Sequence, residues 1–398
     1  MISTFAMEPM LPSDSAIDKS DLPDLALDLE RKAAMLSGMV KPATAAVLEG
    51  HMCVINSYYS NLIEGNSTHP REIRKAMQGD YDLDPVKRDL QLESLAHINV
   101  QQQLNKLDIS YEYLLTEECF LDIHRMFYAD IPDNLRKVVS DSGKTLNVMP
   151  GEFRIEDVQV GRHVPPACND ISLFIRRFSE TYRLDWLRGQ KRVIAAMSAH
   201  HRFVWIHPFL DGNGRVGRLH TDLFLRSIGI GGYGIWCLSR GLARSNVEYK
   251  SALALADHPR QGDRDGRGAL SESNLVSFCE YMIKTAIDQV EYMTDMLGLQ
   301  GMEKRIRAYV GDRAKGLIRG VNGLRPEASR LLERAFLLGE FPRSEIAEVS
   351  GLSLATARKL VQQLKEEGLL TETSSRSPLR WAIPEHAERY YLPELSPI

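Results

Sequence analysis

Residues 207–218 read HPFLDGNGRVGR, and this stretch carries most of the chemistry that the sequence offers. At its centre is Gly-Asn-Gly at 212–214, where two glycines allow the backbone to turn so that several N–H groups point at one spot. A helix is predicted to begin at Asn213 or Gly214, and its positive N-terminus would face the same spot. The pattern therefore predicts a cradle for a polyphosphate.

Four side chains around this turn extend the prediction. Arg215 and Arg218 lie three residues apart on the new helix and so share a face. Asp211, a hard oxygen ligand just before the turn, could hold Mg²⁺ against phosphate oxygens. His207 titrates near neutral pH in its ordinary state and could take a proton from a hydroxyl. Together these groups fit phosphoryl or nucleotidyl transfer to an external hydroxyl.

One competing interpretation is dinucleotide binding, because GNGRVG at 212–217 formally matches the GxGxxG fingerprint. That fingerprint requires a strand before the turn, whereas residues 189–206 read as a helix. It also requires an acidic residue about 20 positions further on, and positions 223–247 contain neither Asp nor Glu. The context therefore disfavours a Rossmann site.

Two further interpretations remain open from the residues alone. His200, His201 and His207 could form a metal cage, but neighbouring histidines point to different faces of a helix. Gly-Asn-Gly could also be a plain turn between two helices. A plain turn would leave the nearby His, Asp and paired Arg without a role.

The twelve residues resemble the signature of the Fic family, HxFx(D/E)GNGRxxR, at every fixed position. Fic proteins mostly transfer AMP from ATP to a Tyr, Thr or Ser hydroxyl of a target protein, with Mg²⁺. The resemblance implies that His207 is the base and that Asp211 binds Mg²⁺. It implies an anion hole formed by Gly212, Asn213 and Gly214.

The same resemblance gives roles to three more side chains. Arg215 would contact the phosphates, and Arg218 would hold the γ-phosphate. Tyr249 follows the helix after the motif, where Fic proteins place part of their adenine pocket, and it could stack on a base. An isolated aromatic residue, however, more often belongs to the core.

Ser60-Asn61-Leu62-Ile63-Glu64-Gly65 is the second informative segment. Ser60 and Glu64 are four residues apart and share a helical face. Glu64 would lie at the helix C-terminus, where the macrodipole disfavours a negative charge, so its carboxylate should have a partner elsewhere. The segment is similar to the (S/T)xxxE(G/N) motif of Fic inhibitory helices. That similarity predicts a Glu64–Arg218 pair, which would occupy the guanidinium needed by the γ-phosphate.

The chain as a whole predicts a mainly α-helical protein in four parts. These are a flexible arm at 1–28, an N-terminal helical region at 29–115 that contains the inhibitory motif at 60–65, a Fic catalytic core at 116–300, and a linker with a winged-helix domain at 301–398. Helices are expected from apolar periodicity at 47–64, 85–106, 116–128, 169–183, 189–206, 213–227 and 274–297. Two short strands at 153–155 and 158–160 are expected to form a β-hairpin flap at about 152–165. It resembles the hairpin with which Fic proteins position a target segment.

Residues 343–370 read as two short helices around Gly351, and a strand, a basic tip and a second strand follow. This arrangement resembles a winged helix-turn-helix, whose second helix could enter a DNA major groove. Residues 340–398 contain seven Lys/Arg and nine Asp/Glu, however. That balance weakens DNA binding and favours protein interaction or a homodimer.

Composition limits the function classes further. The net charge of −4 excludes a chain built around wrapping nucleic acid, and 43% hydrophobic residues exclude wholesale disorder. The five cysteines form no CxxC pair, so reduced thiols are expected rather than a zinc site or disulfides. No signal peptide and no apolar run of about 18 residues is found, which predicts a cytoplasmic protein without a membrane segment.

The sequence therefore predicts an autoinhibited protein adenylyltransferase of the Fic type. It would use ATP and Mg²⁺ and modify an unidentified target protein as well as itself. Two alternatives stay open: removal of AMP at the same site, promoted by Glu64 orienting a water, and a winged-helix transcriptional regulator whose nucleotide site is only a sensor. A toxin with a separate antitoxin is less necessary, because an inhibitory motif lies within the chain.

Overall fold

The computed structural model describes residues 3–139, 143–183 and 185–395, which are mainly helical. The α-helices are α1 (Asp14–Asp18), α2 (Leu22–Met39), α3 (Pro42–Ile63), α4 (Pro70–Met77), α5 (Pro85–Lys106), α6 (Tyr111–Leu114), α7 (Glu117–Ala129), α8 (Ile171–Thr181), α9 (Lys191–Ile206), α10 (Asn213–Ser227), α11 (Leu238–Arg244), α12 (Asn246–Ala256), α13 (Glu272–Leu297), α14 (Leu299–Ala314), α15 (Ala328–Leu338), α16 (Ile346–Ser350), α17 (Leu354–Glu366) and α18 (Glu385–Tyr391). The strands are β1 (Lys137–Val139), β2 (Thr145–Asn147), β3 (Glu340–Phe341), β4 (Leu370–Thr371) and β5 (Leu379–Trp381). Within the described ranges, no helix has the length and apolar character needed to cross a bilayer.

The described residues cluster into two compact units. The first takes in 3–33, 56–233 and 237–289, and the second takes in 34–55, 234–236 and 290–395. This division differs from the four consecutive parts expected from the sequence, because each unit combines segments that are far apart along the chain. The candidate site lies entirely within the first unit.

The helices predicted from periodicity are confirmed, with ends shifted by a few residues. Local capping explains the best match, α5, which begins at Pro85 after Asp84, whose side chain accepts a hydrogen bond from the Val86 N–H at 3.0 Å. In α7, Thr116 caps the Cys119 N–H at 3.2 Å. These ends are predictable because each cap is set within a few residues of the helix.

The N-terminal segment differs from the flexible arm expected at 1–28. Its described residues include α1 and the start of α2, and the side chains of Met7 and Met10 are buried. The buried guanidinium of Arg202 also donates two hydrogen bonds to the Pro9 carbonyl, at 3.0 and 2.7 Å. The Pro, Asp and Ser content suggested a loose segment, but the partner that fixes it lies far along the sequence.

The chain has a short β-hairpin, but not where it was predicted. The antiparallel pair is β1 with β2, in which Val138 is opposite Leu146. Residues 153–155 and 158–160 are not strands, and the segment expected to be the flap has a single isolated bridge, Val160 with His163. The prediction of the flap's position is therefore wrong.

Arg154 provides the physical reason for this loop. Its guanidinium donates hydrogen bonds to the carbonyls of His207 at 2.9 Å, Glu156 at 3.1 Å and Pro166 at 2.5 Å, and its side chain is 1% exposed. The Arg154 side chain thus holds the loop through one carbonyl inside it, that of Glu156, and two outside it, those of Pro166 and His207. The Arg154 N–H also donates to the Pro208 carbonyl at 3.0 Å, which ties the loop to the segment after α9.

The C-terminal elements match the predicted order of helices and strands. Gly351 lies between α16 and α17 with a left-handed φ of 72°, a conformation in which glycine carries no Cβ penalty. β4 and β5 are antiparallel neighbours, with Leu370 opposite Trp381. The winged helix-turn-helix and its DNA contact stay predictions.

Candidate active site

The segment between α9 and α10 has two residues in left-handed conformations. His207 ends α9 with φ 49° and ψ 59°, and Gly212 precedes α10 with φ 84° and ψ 1°. A non-glycine residue in this region costs about 1–3 kcal/mol, so surrounding contacts must hold it. The hydrogen bonds that Arg154 makes to the carbonyls of His207 and Pro208 provide such contacts.

Asn213 closes the Gly-Asn-Gly turn with its side chain. Its Oδ1 accepts a hydrogen bond from the Phe209 N–H at 2.9 Å, and its Nδ2 donates to the Phe209 carbonyl at 2.8 Å. A Cβ on Gly212 would lie 3.1 Å from the Tyr128 ring, so both conformation and space favour glycine there. The first N–H groups of α10, which include that of Gly214, have no carbonyl partner within the helix and suit an anion.

His207 is half-buried and lines a cavity beside this turn. Burial, followed by the positive charges of Arg154 and His163, lowers the pKa of His207 to about 4. The sequence expectation of titration near neutral pH is therefore corrected. A neutral imidazole at pH 7 has a free lone pair and can accept a proton from a hydroxyl.

Asp211 lies in a network that the sequence showed only in part. Its Oδ2 accepts hydrogen bonds from Arg215 Nη2 at 2.9 Å and from the Tyr128 hydroxyl at 2.5 Å. Burial opposes ionisation, but the Arg215 charge and the bonds from Tyr128 and the Gly212 N–H hold the pKa of Asp211 below its usual range. Arg215 itself lies 4.6 Å from the centre of the Phe127 ring. Arg215 thus orients Asp211, and its contact with phosphates stays a prediction.

The donor set at Asp211 fits a hard divalent cation. The carboxylate is ionised, and its side chain is 46% exposed beside the cradle. Ionised carboxylate oxygens are the ligands that Mg²⁺ takes, usually together with substrate phosphates and water. The residues present therefore suit one Mg²⁺ held by Asp211 and by phosphate oxygens.

The pair predicted between Glu64 and Arg218 is present in the structure. Arg218 Nη2 donates to Glu64 Oε1 at 2.7 Å and to the Ser60 carbonyl at 2.9 Å, and its Nε donates to Ser60 Oγ at 3.0 Å. Burial opposes ionisation of Glu64, but the guanidiniums of Arg218 and Arg215 hold its pKa below the usual range. The pair is therefore ionic, with the Arg218 side chain 3% exposed.

The Glu64 carboxylate also lies directly against the turn. A Cβ on Gly214 would collide with Glu64 Oε1 and would lie 3.0 Å from Arg218 Nη1. The N-terminus of a helix favours negative charge at this position. A carboxylate of the chain itself thus occupies the place where the cradle would receive an anion.

A cavity of about 310 Å³ is lined by some of these groups. Its polar wall includes Glu64, His207, Gly214, Arg218 and Tyr249, and its apolar wall includes Val160, Val204, Trp205, Leu253 and Ala254. A volume of this size lies at the lower end of small-molecule sites, whose walls are mostly apolar with a few placed polar groups. The structure thus brings His207, Gly214 and Arg218 together in one cavity.

The alternatives weighed from the sequence do not match the contacts. His200 bonds to the hydroxyls of Thr221 and Tyr249, each at 2.7 Å, and His201 Nε2 lies 3.1 Å from the Leu253 carbonyl. The two imidazole rings bond to different partners, which argues against a histidine metal cage. α9, not a strand, precedes the glycine turn, which argues against a dinucleotide fingerprint. The Tyr249 ring lines the cavity, and its stacking on a base stays a prediction.

Two residues that shape the site escaped the sequence analysis. Tyr128 lies on a periodic face of α7 and reads as core, although its hydroxyl bonds Asp211. Arg154 lies between Phe153 and Ile155, and this basic residue between two apolar ones was the one signal available. Both residues act on positions more than 50 residues away.

Comparison with known proteins supports the resemblance seen in the sequence. Residues 114–225 match the family model described as the Fic/DOC family. The described fold is similar to the crystal structure of a Fic family protein from Desulfovibrio desulfuricans G20, with a TM-score of 0.51 and 18% identity over 90% of this chain and 96% of that chain. The chain is therefore mainly helical, and its residues 114–225 are similar to the Fic/DOC family.

Curated relatives match part of the chain. The protein adenylyltransferase Fic of Culex quinquefasciatus is 29% identical over 177 residues, which are 43% of this chain and 32% of that protein. The protein adenylyltransferase Fic of Drosophila willistoni is 28% identical over 172 residues, with the same two coverages. The matched region thus spans about a third of the length of these relatives.

Proposed function

We propose that this chain is a protein adenylyltransferase that transfers AMP from ATP to a Tyr, Thr or Ser hydroxyl of a target protein and of itself. The observation that carries the proposal is the neutral ring of His207 in one cavity with the Gly-Asn-Gly turn and Arg218. The adenylyltransferase activity in the names of the curated relatives supports it.

His207 acts as the general base in this proposal. The target hydroxyl oxygen forms a bond to the α-phosphorus of ATP, the bond to the pyrophosphate leaving group breaks, and the hydroxyl proton goes to the imidazole. A neutral ring is required for the last step, and the lowered pKa of His207 supplies it at physiological pH. Its left-handed backbone, held by Arg154, fixes where the ring lies.

The turn and Arg218 bind the phosphates. The N–H groups at the start of α10 and the guanidinium of Arg218 would stabilise the negative charge that develops during transfer, and Gly214 and Arg218 line the same cavity as His207. Mg²⁺, when held by Asp211, would neutralise phosphate charge beside the leaving group. Arg215 and Tyr128 keep the Asp211 carboxylate ionised and oriented for that contact.

Glu64 is proposed as the inhibitor of this reaction. It bonds the guanidinium that should hold the γ-phosphate and lies against Gly214. ATP could bind beside it only in a displaced pose, and small displacements of the α-phosphate cost large factors in rate. Inhibition thus results from competition between one carboxylate and a phosphate for the same donors.

Removal of AMP is the second candidate, because Glu64 places a carboxylate in the same cavity. That role needs Glu64 to orient and deprotonate a water. The Glu64 carboxylate accepts a hydrogen bond from Arg218 at 2.7 Å, and this ion pair would have to open before that oxygen could take a proton from a water. Incubation of AMP-modified protein without ATP distinguishes the two, since only the second candidate releases AMP at a rate that depends on Glu64.

The proposed function is tested by finding which phosphate of ATP stays on the protein. The Glu64→Gly protein is incubated with Mg²⁺ and either α-labelled or γ-labelled ATP, and protein-bound label and intact mass are measured. Transfer of AMP retains the α-label, adds the mass of AMP and releases pyrophosphate. Retention of the γ-label would instead show phosphate transfer and would contradict the proposal.

The pH dependence of transfer follows from the pKa of His207. The base works when neutral, so a pKa of about 4 keeps it active through the neutral range, and activity is lost as the pH falls through about 4. We expect nearly constant transfer by Glu64→Gly protein between about pH 6 and 8. An ordinary histidine pKa of about 6.5 would instead cause roughly a fourfold loss over this range. Circular dichroism at each pH controls for unfolding.

Asp211→Asn is expected to lower transfer by about 100-fold, because a neutral amide is a poor ligand for Mg²⁺ and loses the ion pair with Arg215. The measurement is the transfer rate of Glu64→Gly protein at increasing Mg²⁺, which should saturate only at higher concentration in the variant. Asp263→Asn is the matched control, since that carboxylate is fully exposed and does not line the cavity. An unchanged Mg²⁺ dependence in Asp211→Asn would exclude the metal role.

A further inference from the structure

The segment after Glu64 is fixed by one buried amide, that of Asn66, which is 5% exposed. Its Nδ2 donates to the Leu90 carbonyl at 3.0 Å and to Glu93 Oε2 at 3.2 Å. Its Oδ1 accepts from the N–H of Thr68 at 3.0 Å and from the Thr68 hydroxyl at 2.8 Å. Two donors and two acceptor positions are the full capacity of an asparagine side chain, and here all four are used.

The same residue helps to end α3. The Asn66 N–H donates to the Asn61 carbonyl at 3.0 Å, and the Gly65 N–H donates to the Leu62 carbonyl at 3.1 Å. Gly65 has a left-handed φ of 94°, as expected just past a helix C-terminus. Glu64 therefore lies in a turn that Asn66 anchors through both its backbone and its side chain.

Glu93 connects this anchor to the motif. One oxygen, Oε2, accepts from Asn66 at 3.2 Å and lies 3.5 Å from Arg215 Nη1. Arg215 in turn bonds Asp211 at 2.9 Å. A continuous polar chain thus runs from the residue after Gly65 to the loop that carries the cradle.

The Glu64 side chain has little else to hold it. Its bond to Arg218 uses one oxygen, and its side chain remains 38% exposed. A glutamate loses side-chain entropy when it is held in one conformation, so a fixed backbone is needed to keep the pair formed. The position of the Glu64 backbone is what the Asn66 contacts determine.

We propose that Asn66 and Glu93 are positioning residues that clamp the end of α3 to α5 and so hold Glu64 over Gly214 and Arg218. Loosening this Asn66–Glu93 clamp is then the step that relieves inhibition, with Glu64 still present in the chain. The inference rests on the proposed function, because it concerns control of the same site. A partner or modification that competes for the Asn66 amide would then relieve the inhibition.

The test compares four proteins: the unaltered chain, Asn66→Ala, Glu64→Gly and the double variant. Transfer from α-labelled ATP is measured for each under the same conditions. We expect Asn66→Ala to raise transfer about tenfold, as loss of a few net hydrogen bonds shifts the population toward released Glu64. In the Glu64→Gly background the same substitution should change nothing. A rise of equal size in that background would overturn the clamp, because its action must pass through Glu64.

Gln91→Ala is the matched control. Gln91 lies on α5 and, like Asn66, has a buried side-chain amide. Its Nε2 donates to the Glu72 carbonyl at 3.1 Å, and its Oε1 accepts from the Asp82 N–H at 2.9 Å. It lies near the clamp without a bond to the segment after Glu64. We expect Gln91→Ala to leave transfer at the level of the unaltered chain, and a tenfold rise there would show that loosening α5 in general suffices.

Asn66→Asp provides a second variant that keeps the side chain's shape. The acceptor for Thr68 remains, whereas a carboxylate oxygen now faces the Leu90 carbonyl and Glu93, so the contact becomes repulsive. It should raise transfer like Asn66→Ala, and thermal unfolding checks that both variants fold. If Glu64→Gly transfers AMP but neither Asn66 variant exceeds the unaltered chain, the clamp alone is wrong. If Glu64→Gly itself transfers nothing, the proposed function fails, and the clamp fails with it.

Discussion

Replacing His207 with alanine is expected to lower AMP transfer by about 10²–10⁴-fold, the range that a positioned general base contributes. The variant removes the neutral imidazole that accepts the hydroxyl proton, whereas the phosphate-binding groups belong to other residues. ATP binding should therefore stay nearly unchanged. The measurement is α-label incorporation by Glu64→Gly protein with and without His207→Ala, together with calorimetric titration of ATP.

His258→Ala is the control for this experiment. His258 is exposed and does not line the cavity, so its loss removes an imidazole without touching the site. Transfer by His258→Ala should match that of the parent protein. Transfer that survives in His207→Ala would refute its role as base, and loss of ATP binding in step with activity would assign His207 to binding instead.

Replacing Glu64 with glycine is expected to raise AMP transfer by about 10–100-fold. A hydrogen bond between two charged groups contributes about 1.5–3 kcal/mol, and removing it from the inhibited state shifts the equilibrium by that factor. The substitution also clears the carboxylate from Gly214, so phosphate can reach the start of α10. The initial rate of self-labelling and of labelling of added protein is measured at fixed ATP.

Arg218 should remain in place in this variant. Its bonds to the Ser60 hydroxyl and carbonyl, at 3.0 and 2.9 Å, do not depend on Glu64. The guanidinium is thus already oriented for a phosphate, which is why we expect a gain in rate without a large loss of stability. Glu64→Gln, which keeps the shape but loses the charge, should give an intermediate rate. Unchanged or reduced transfer in Glu64→Gly would reject the inhibitory role.

Several features of the site could be predicted because their signals are local. Ser60 and Glu64 share a face at a spacing of four residues, and the structure places both on Arg218. The Gly-Asn-Gly turn is likewise set within a few residues, since Asn213 bonds back to Phe209. Spacing along one helix or one turn fixes such contacts before the rest of the fold is known.

Other features depended on contacts across the sequence. Arg154 reaches His207 across 53 residues, and Tyr128 reaches Asp211 across 83. The position of the hairpin was mispredicted for the same reason, because alternating residues at 153–155 and 158–160 resemble strands when the role of Arg154 is unknown. The residue pattern reports only the strand propensity of the segment itself. Here the contacts of the buried Arg154 side chain favoured a loop instead.

By itself, the sequence determined a mainly helical protein, the motif at 207–218 and the pairing of Glu64 with Arg218. Only the tertiary structure decided that His207 is neutral at physiological pH and that Asn66 and Glu93 join the end of α3 to Arg215. The physical reason is that helix periodicity and turn chemistry act over a few residues. Burial and hydrogen bonding between distant segments exist only once the chain has folded.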